Sequence, residues 1–590
     1  MKKTETRKHQ NLLQGSLILG VAVLLVKIIG AIYKIPLGWV LGGVGSGYFS
    51  IAYDIYLPIF SIAMTGLPVA ISRLVAESVS EGRFRDTKRI LKVSKRLFFV
   101  VGLVCFAILA AAIPIYIKYI DEPNAFWPMM AIAPSLIFCC IMSTYRGYYE
   151  GLRNMYPTAF SQVIEALGKL GIGLVLAYVA KVFLTNEFIA SGTILGREVV
   201  LDGSTATLAE VANKMMMPYV ASCAILGITL GSVFGALYLV IRHKVSGDKI
   251  TKEELEASPE PQSSKSYLKM LVLIAIPIVL GSLTTQIASL VDLTIVKVQL
   301  KSLMETDAEA VRACYGEVLS GLTNKDIPTF LYGCYRNYAH SLYNLAPTIT
   351  SVIGVSAIPI IATAWKSKDR LAVKENLESS IRVTSLIAFP AGVGLFVLSS
   401  QVLSLLYPNN VSEVAVSSPI LQVLGITSIF VAITIPETSM LQAIGKQKIP
   451  VYNMLVGVVL KVMINYFLVA IPELNIVGAP VGTAVCYAYI FTANLIALRK
   501  YSEVKINILS TIIKPLLSAL ICGVAAYGTN LILTSWRGKG SLTTIISVAA
   551  AGIAYILALG FTKTITKNDV TMLPKGQKIA KILEKIGWLG

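Results

Sequence analysis

Residues 12–40 read LLQGSLILGVAVLLVKIIGAIYKIPLGWV, an apolar run of membrane-spanning length that nonetheless carries Lys27 and Lys34. On an α-helix seven residues turn about 700°, so both ammonium groups fall on one face, roughly 10 Å apart along the axis. A charge facing lipid near the bilayer midplane costs several kcal/mol, so this face is expected to look onto protein or water. Two readings follow. The lysines either pair with carboxylates of other helices or snorkel to the interface, or they line a solvated cavity that receives an anion.

The rest of the chain has the same character. It has 590 residues, of which 55% are hydrophobic and only 14% charged, with a mean hydropathy of +0.70. That is too apolar for a soluble domain and fits an all-α polytopic membrane protein. About fourteen crossings of 20–25 residues fit the length and leave room for short loops and two longer ones. The basic start, Met1 to Lys8, resembles a signal n-region, but the apolar run behind it is too long and lacks a small-residue cleavage site. A retained first helix is expected.

The formal charge of +19 does not imply nucleic acid, because the basic residues are not gathered in one patch. Alternate gaps between apolar runs, together with both tails, hold 35 of the 52 Lys and Arg. By the positive-inside rule both termini are expected in the cytoplasm, and anionic lipid headgroups suffice as partners for the excess.

Two landmarks recur. Leu67-Pro68-Val69-Ala70-Ile71-Ser72-Arg73 closes the second apolar run and Ile358-Pro359-Ile360-Ile361-Ala362-Thr363-Ala364 the eighth, an offset of 291 between the prolines. Gly151 to Pro157 corresponds to Gly445 to Pro450, with an offset of 294 between the glycines. Six crossings separate the copies, so both halves have one orientation: two six-helix lobes related by a parallel repeat. The expected domains are an N-lobe (1–242), a flexible cytoplasmic linker (243–266), a C-lobe (267–500), two extra C-terminal helices (501–562) and a basic amphipathic tail (563–590) with Ile579, Ile582, Leu583 and Ile586 on one face. A cleft between the lobes is the expected substrate path.

Polar residues inside apolar runs mark candidate sites. The seventh run sets Ser282, Thr285, Ser289 and Asp292 on one helical face. Asp292 either neutralises Lys27 or Lys34 or holds a coupling proton or sodium ion. In the fifth run Glu165 and Lys169 are four apart, the spacing of an intrahelical ion pair. Asp54 lies among Tyr48, Tyr53 and Tyr56, and Lys461 precedes Asn465 by one turn; these are candidate cavity-lining groups. Arg146, Lys297 and Arg336 lie nearer the ends of runs, where snorkelling is expected. Gly227, Gly231 and Gly235 form a small-xxx-small pattern for close helix packing. The Gly42 to Gly47 run lacks the Gly-Lys-Ser/Thr ending of a phosphate loop and reads as a flexible outer turn.

Cys314 and Cys334 share a predicted outer loop, where a disulfide is chemically possible, and the three histidines are too scattered for a metal site. No Walker pattern is present, so no cofactor is expected and an ion gradient (Na⁺ or H⁺) or the membrane potential is the expected drive.

The stretch Gly30-Ala-Ile-Tyr-Lys-Ile-Pro36, followed by Gly42-Gly-Val-Gly-Ser-Gly-Tyr48 and by Thr65-Gly-Leu-Pro-Val-Ala-Ile-Ser-Arg-Leu-Val-Ala-Glu77, resembles the polysaccharide biosynthesis branch of the multidrug/oligosaccharidyl-lipid/polysaccharide exporters. Within it, the group of the stage V sporulation protein B and the Gram-positive lipid II flippases is nearest. The resemblance implies a MATE-like fold, a multi-pass plasma-membrane location, and basic residues of the first helix meeting the pyrophosphate of a lipid-linked saccharide. Lys27 and Lys34 hold that kind of position, as lysines where many relatives use arginine, so a point-charge contact replaces a bidentate one. The implied activity is transport, not catalysis: flipping of an undecaprenyl-pyrophosphate-linked saccharide, lipid II foremost, by a monomer working beside the cell-wall synthesis machinery. The alternatives are another cell-surface polysaccharide (teichoic acid, capsule, spore cortex), a cation-coupled multidrug exporter, and a membrane glycosyltransferase. Two central lysines argue against a cavity for cationic drugs. The outer gap 298–336 offers Glu305, Asp307, Glu309, Glu317 and Asp326 but no spaced carboxylate pair for glycosyl transfer.

Overall fold

A computed structural model describes residues 12–201, 207–566, 569–570, 584–585 and 587–588. The C-terminal amphipathic face expected at Ile579, Ile582, Leu583 and Ile586 lies outside them. Twenty helices follow one another: α1 (Leu12–Ser61), α2 (Leu67–Ser80), α3 (Phe84–Ile120), α4 (Phe126–Ile132), α5 (Ser135–Gly151), α6 (Tyr156–Ser191), α7 (Leu208–Ser246), α8 (Lys252–Glu256), α9 (Ser264–Thr306) and α10 (Ala308–Tyr315). Then come α11 (Ile327–Gly333), α12 (His340–Tyr343), α13 (Leu345–Lys366), α14 (Arg370–Val397), α15 (Ser399–Leu406), α16 (Val411–Ala443), α17 (Lys448–Leu468), α18 (Gly478–Tyr501), α19 (Lys514–Arg537) and α20 (Ser541–Thr562). Helix is what an apolar chain needs in lipid, since each backbone N–H and C=O must be satisfied within the segment.

Among the described residues twelve helical segments are long and apolar enough to cross a membrane. The first, Ile18–Ser80, has 63 residues, enough for two crossings of about 20–25 residues, and it bends at Gly42, whose φ of 59° is open to glycine. With the 43-residue α9 beside these, fourteen crossings is an approximate number. The apolar side chains left exposed, such as Leu103, Ile108 and Ile115 on α3 or Val175, Val179 and Phe183 on α6, form faces suited to hydrocarbon.

The chain divides into two compact units, Met1–Lys297 with Gly321–Gly333, and Val298–Ser320 with Cys334–Gly590. Inside the first, α2, α3 and α5 pack mutually and α6 lies along α7. Inside the second, α13, α14 and α16 pack mutually and α17 lies along α18. The same pairings built from segments about 290 residues apart are the repeat made visible. Proline opens the equivalent helices, Pro157 in the first turn of α6 and Pro450 in the first turn of α17, where its missing N–H has no partner to lose.

Small residues let backbones meet, as the spacing predicts. Gly227 and Gly231 of α7 lie against Gly173 and Gly168 of α6. The run expected to be a flexible outer turn does something else. After the bend at Gly42 the chain stays helical, and Gly43 and Gly47 meet the backbone of Thr329 and Gly333 on α11, where a Cβ on Gly333 would fall on the Gly43 carbonyl.

Residues 247–262 are also not a free connector. Arg85 donates from Nε to the Leu255 carbonyl (2.8 Å), Gln262 N–H to Asp86 Oδ1 (2.8 Å) and Tyr149 OH to the Gly247 carbonyl (3.0 Å). Asp248 receives Lys88 Nζ and Tyr148 OH, each at 2.5 Å. Burial of Asp248 raises its affinity for a proton, but the bonds from Lys88 and Tyr148 outweigh it and hold the carboxyl below the ordinary value. A Pro- and Ser-rich segment reads as flexible because the bonds that tie it to the helices come from α3 and α5, remote in sequence.

Candidate functional site

Lys27 is exposed and Lys34 half-buried on the part of α1 before the bend. Between them Tyr33 is buried, and its OH donates to the Ala224 carbonyl of α7 at 3.4 Å, while Lys181 of α6 donates to the Val40 carbonyl at 2.7 Å. These bonds fix the helix that presents the two lysines.

The expected Glu165–Lys169 pair is not formed. Glu165 Oε2 accepts from Arg146 Nη2 of α5 at 2.9 Å, and Arg146 Nε donates to Ser161 Oγ at 2.9 Å. Arg146 is 3% exposed, so leaving it without a counter-charge would cost more than leaving the half-buried Lys169 without one. Lys169 Nζ lies instead over the rings of Tyr53 and Tyr33, 5.1 and 5.5 Å from their centroids. Among the described residues Lys169 enters no ion pair. Tyr33 is the chain neighbour of Lys34, so the α6 lysine reaches the stretch of α1 that carries the other two.

Asp54 is buried and accepts from Tyr332 OH of α11 at 2.7 Å, a tie that holds α11 on α1. Lys297, expected to snorkel, is 2% exposed; it donates to Glu122 Oε1 (2.8 Å) and Thr329 Oγ1 (2.7 Å), and Thr329 also bonds Glu122. Like Arg146, it is an internal ion whose partner is remote in sequence. A cavity of about 550 Å³ opens next to this network, bordered by Tyr48, Asn124, Trp127 and Tyr219. Asp292 is buried on α9 in the same unit.

Lys461 and Asn465 belong to the second unit, on one face of α17, and Asn465 is fully buried against Gly482 of α18. Lys461 stands 292 residues after Lys169, inside the 291–294 offset of the repeat, so α6 and α17 each carry a lysine at the equivalent turn. Cys314 and Cys334 are not joined: both thiols are free, Cys314 exposed with Sγ 3.7 Å from the Pro472 carbonyl, Cys334 buried with its carbonyl bonded by Ser417. The one faces outward and the other inward, which keeps the sulfurs apart. No group of three His, Cys, Asp or Glu that could hold a metal ion occurs among the described residues.

One functional candidate was missed by the sequence reading. Glu437 of α16 is fully buried, and neither carboxylate oxygen has a hydrogen-bond partner. Its signal was present, since it is the sole acid between Glu413 and the end of α16.

Together, the architecture and the basic residues within its spans are those of a multi-pass helical membrane protein. The polysaccharide biosynthesis protein family model matches residues 12–201, and the lipid II flippase MurJ model matches residues 333–551. The chain is thus similar over its first part to polysaccharide biosynthesis proteins and over its second to lipid II flippases. It is 22% identical to lipid II flippase MurJ of Bacillus subtilis (strain 168), over 94% of this chain and 96% of that protein. It is 23% identical to stage V sporulation protein B of the same organism, over 96% and 98%. In fold it is similar to an inward closed lipid II flippase MurJ structure (TM-score 0.61, 13% identity, 92% of this chain and 98% of that one). It is also similar to an inward-facing MATE family multidrug resistance transporter (TM-score 0.56, 14% identity, 82% and 98%).

Proposed function

We propose that this protein carries an undecaprenyl-pyrophosphate-linked saccharide, with lipid II the foremost substrate, from the inner to the outer leaflet of the plasma membrane by alternating access, both termini being cytoplasmic. The observation that carries this reading is Lys169, a half-buried cation in mid-span that lies over tyrosine rings and, among the described residues, enters no ion pair. A cation kept there without a counter-charge is a receptor for an anion. Lys27 and Lys34 extend the same basic stretch of α1, and together they suit a diphosphate head whose lipid tail stays in the bilayer. Lys461 supplies the repeat-equivalent cation on α17 and Asn465 a polar neighbour, while Asp292 is the acid that balances charge or holds a coupling ion. Asp54 serves position, not contact, through its bond to Tyr332.

The relatives support the class of substrate. One is named a lipid II flippase and another a stage V sporulation protein, and a teichuronic acid biosynthesis protein, TuaB of Bacillus subtilis (strain 168), is 25% identical over 250 residues. Spore cortex or another lipid-linked surface polysaccharide is therefore the second reading. Expression in a strain depleted of its lipid II flippase decides between them. Restored growth with labelled lipid II appearing in the outer leaflet supports the first reading, and loss of both in Lys27→Ala and Lys169→Gln supports the site. Unchanged outer-leaflet lipid II in both variants would overturn it.

A further inference from the structure

In the first unit the repeat places a buried cation, Arg146, near the end of α5 and gives it a counter-charge, Glu165 of α6. The residue 291 positions on is Glu437, near the end of α16. The turn of α17 that corresponds to Glu165 is Val456-Gly457-Val458-Val459, which offers nothing to an acid. The second unit thus has a buried ionisable group within one turn of the place that matches Arg146, which is Glu437 at an offset of 291 and Met440 at 294, and carries no charge in the turn that matches Glu165.

Glu437 is closed off from solvent. Two buried clusters flank it, Ile381, Met440 and Leu441 on one side and Phe389, Ala432 and Ile433 on the other. Gly354 of α13 lies against Pro436 and Ser439, so two helix backbones meet beside the acid. Among the described residues no cation bonds either oxygen of Glu437. On α13 the charge is Lys366, its last residue; on α18 Arg499 and Lys500 sit in the last turn. On α14 the nearest is Arg382, which is bound through Nε and Nη2 to Asp569 at 2.6 and 3.1 Å. Arg336 and His340, which bond each other, precede Gly354 by fourteen residues or more; on α17 Lys448 lies in the first turn, and Lys461, two residues past the stretch that matches Glu165, makes no bond to Glu437. Of the other titratable side chains of α18, Cys486, Tyr487 and Tyr489 stand before Asn494, the residue that bonds Thr438 beside Glu437, and Tyr501 ends the helix. A carboxylate in such a place is stable only as the neutral acid.

The helix around it is weakened by a proline. Pro436 removes the N–H that the Ala432 carbonyl would accept, which weakens α16 one turn before Glu437. Thr434, three residues back on the same face, is buried with its Oγ1 unpartnered. An ionised Glu437 cannot stay in the closed packing and requires α16 to admit water, whereas a protonated one lets it close.

We infer that Glu437 is a proton-binding site by which the proton gradient drives the transport cycle, the acid taking up a proton when α16 closes and releasing it to water when α16 opens. This rests on the transporter reading above and assigns its coupling ion and residue. By linkage, a proton that binds one state better must favour that state.

Two measurements on the full-length protein keep the two readings separate. Infrared difference spectra across a pH titration in nanodiscs should show a protonated carboxylic acid band that is absent in Glu437→Gln and returns, shifted, in Glu437→Asp. In proteoliposomes with a fluorescent undecaprenyl-pyrophosphate saccharide, an imposed pH gradient should speed flipping by about tenfold in the native protein and have no effect in Glu437→Gln, which still flips slowly. A band unchanged in Glu437→Gln, or a gradient response unchanged in that variant, overturns the inference. A sodium gradient that drives flipping through Glu437 with no acid band also overturns it, in favour of a cation held by the ionised group. A Glu437-dependent band with no flipping under any gradient leaves the proton site standing and removes the flippase reading.

Discussion

The Arg146 guanidinium of α5 donates to the Glu165 carboxylate of α6 across 2.9 Å, and this bond takes from Lys169 the acid that stands one turn before it. An internal ion pair and an uncompensated lysine are thus two sides of one choice, made because the guanidinium is the more deeply buried of the two cations. Breaking a buried pair at one end strands the other charge, at about 3–5 kcal/mol. Arg146→Met should therefore lower the thermal unfolding midpoint strongly, and Arg146→Met with Glu165→Gln should recover much of the loss. Additive losses in that double-mutant cycle would contradict the pairing.

Lys169 makes no ion pair, so Lys169→Gln should leave the unfolding midpoint nearly unchanged, the ring contacts being worth about 0.5–2 kcal/mol. Transport should respond very differently. A lost charge-assisted contact to a phosphate is worth about 1.5–3 kcal/mol, at least tenfold in apparent substrate affinity, and Lys169→Arg should keep most of it. Equal affinity in the two variants would mean that this lysine does not meet substrate.

Tyr332 is tied to Asp54 from 278 residues away at 2.7 Å. Tyr332→Phe leaves a buried carboxylate short of a donor and should destabilise by about 1.5–3 kcal/mol. Asp54→Asn, which still offers an oxygen to the phenol, should cost less. Hydrogen exchange of residues 327–333 would report the release of α11.

The crossing of α1 and α11 has no room for a side chain. Gly333→Ala should destabilise by about 1–3 kcal/mol through overpacking on the Gly43 carbonyl. Gly30→Ala is the control: it meets nothing within 4 Å and should be neutral or gain up to about 1 kcal/mol from helix propensity. A Gly333→Ala protein as stable as the control would exclude the close approach.

Asp248 is held below the ordinary carboxyl value of 3.8, burial opposing and the bonds from Lys88 and Tyr148 prevailing. The stability it contributes is present above that unfolded-state value and is lost as pH falls through the lower folded value. Amide exchange of residues 248–258 should accelerate only in that acidic window, and Lys88→Ala should move the acceleration to higher pH. Exchange that is flat across the range in both proteins would show that Asp248 does not anchor the segment.

Much of this protein was legible in order along the chain. Apolar runs longer than twenty residues force helices wherever water is absent, and prolines at one offset announce two copies of one plan, because each copy must solve the same packing problem. The glycines of α7 foretold a close helix contact, and the structure supplies α6 as the partner. What failed were inferences that assigned a partner from spacing alone. Glu165 and Lys169 have the spacing of a pair, yet Arg146 wins the carboxylate. Lys297 sits where lysines snorkel, yet Glu122 and Thr329 hold it inside. The Gly42 to Gly47 run has the composition of a loose turn, yet most of it is a helix surface pressed on α11. Glu437 was passed over because an acid's importance depends on whether a cation stands opposite it.

The sequence by itself therefore determined the class, the repeat and the residues that carry charge into the membrane, since these follow from how far each short stretch can be removed from water. Tertiary structure alone decided which charges cancel and which remain. Coulombic and hydrogen-bond partners are fixed by distances of about 3 Å between side chains up to hundreds of residues apart, and burial sets the cost of leaving each one alone.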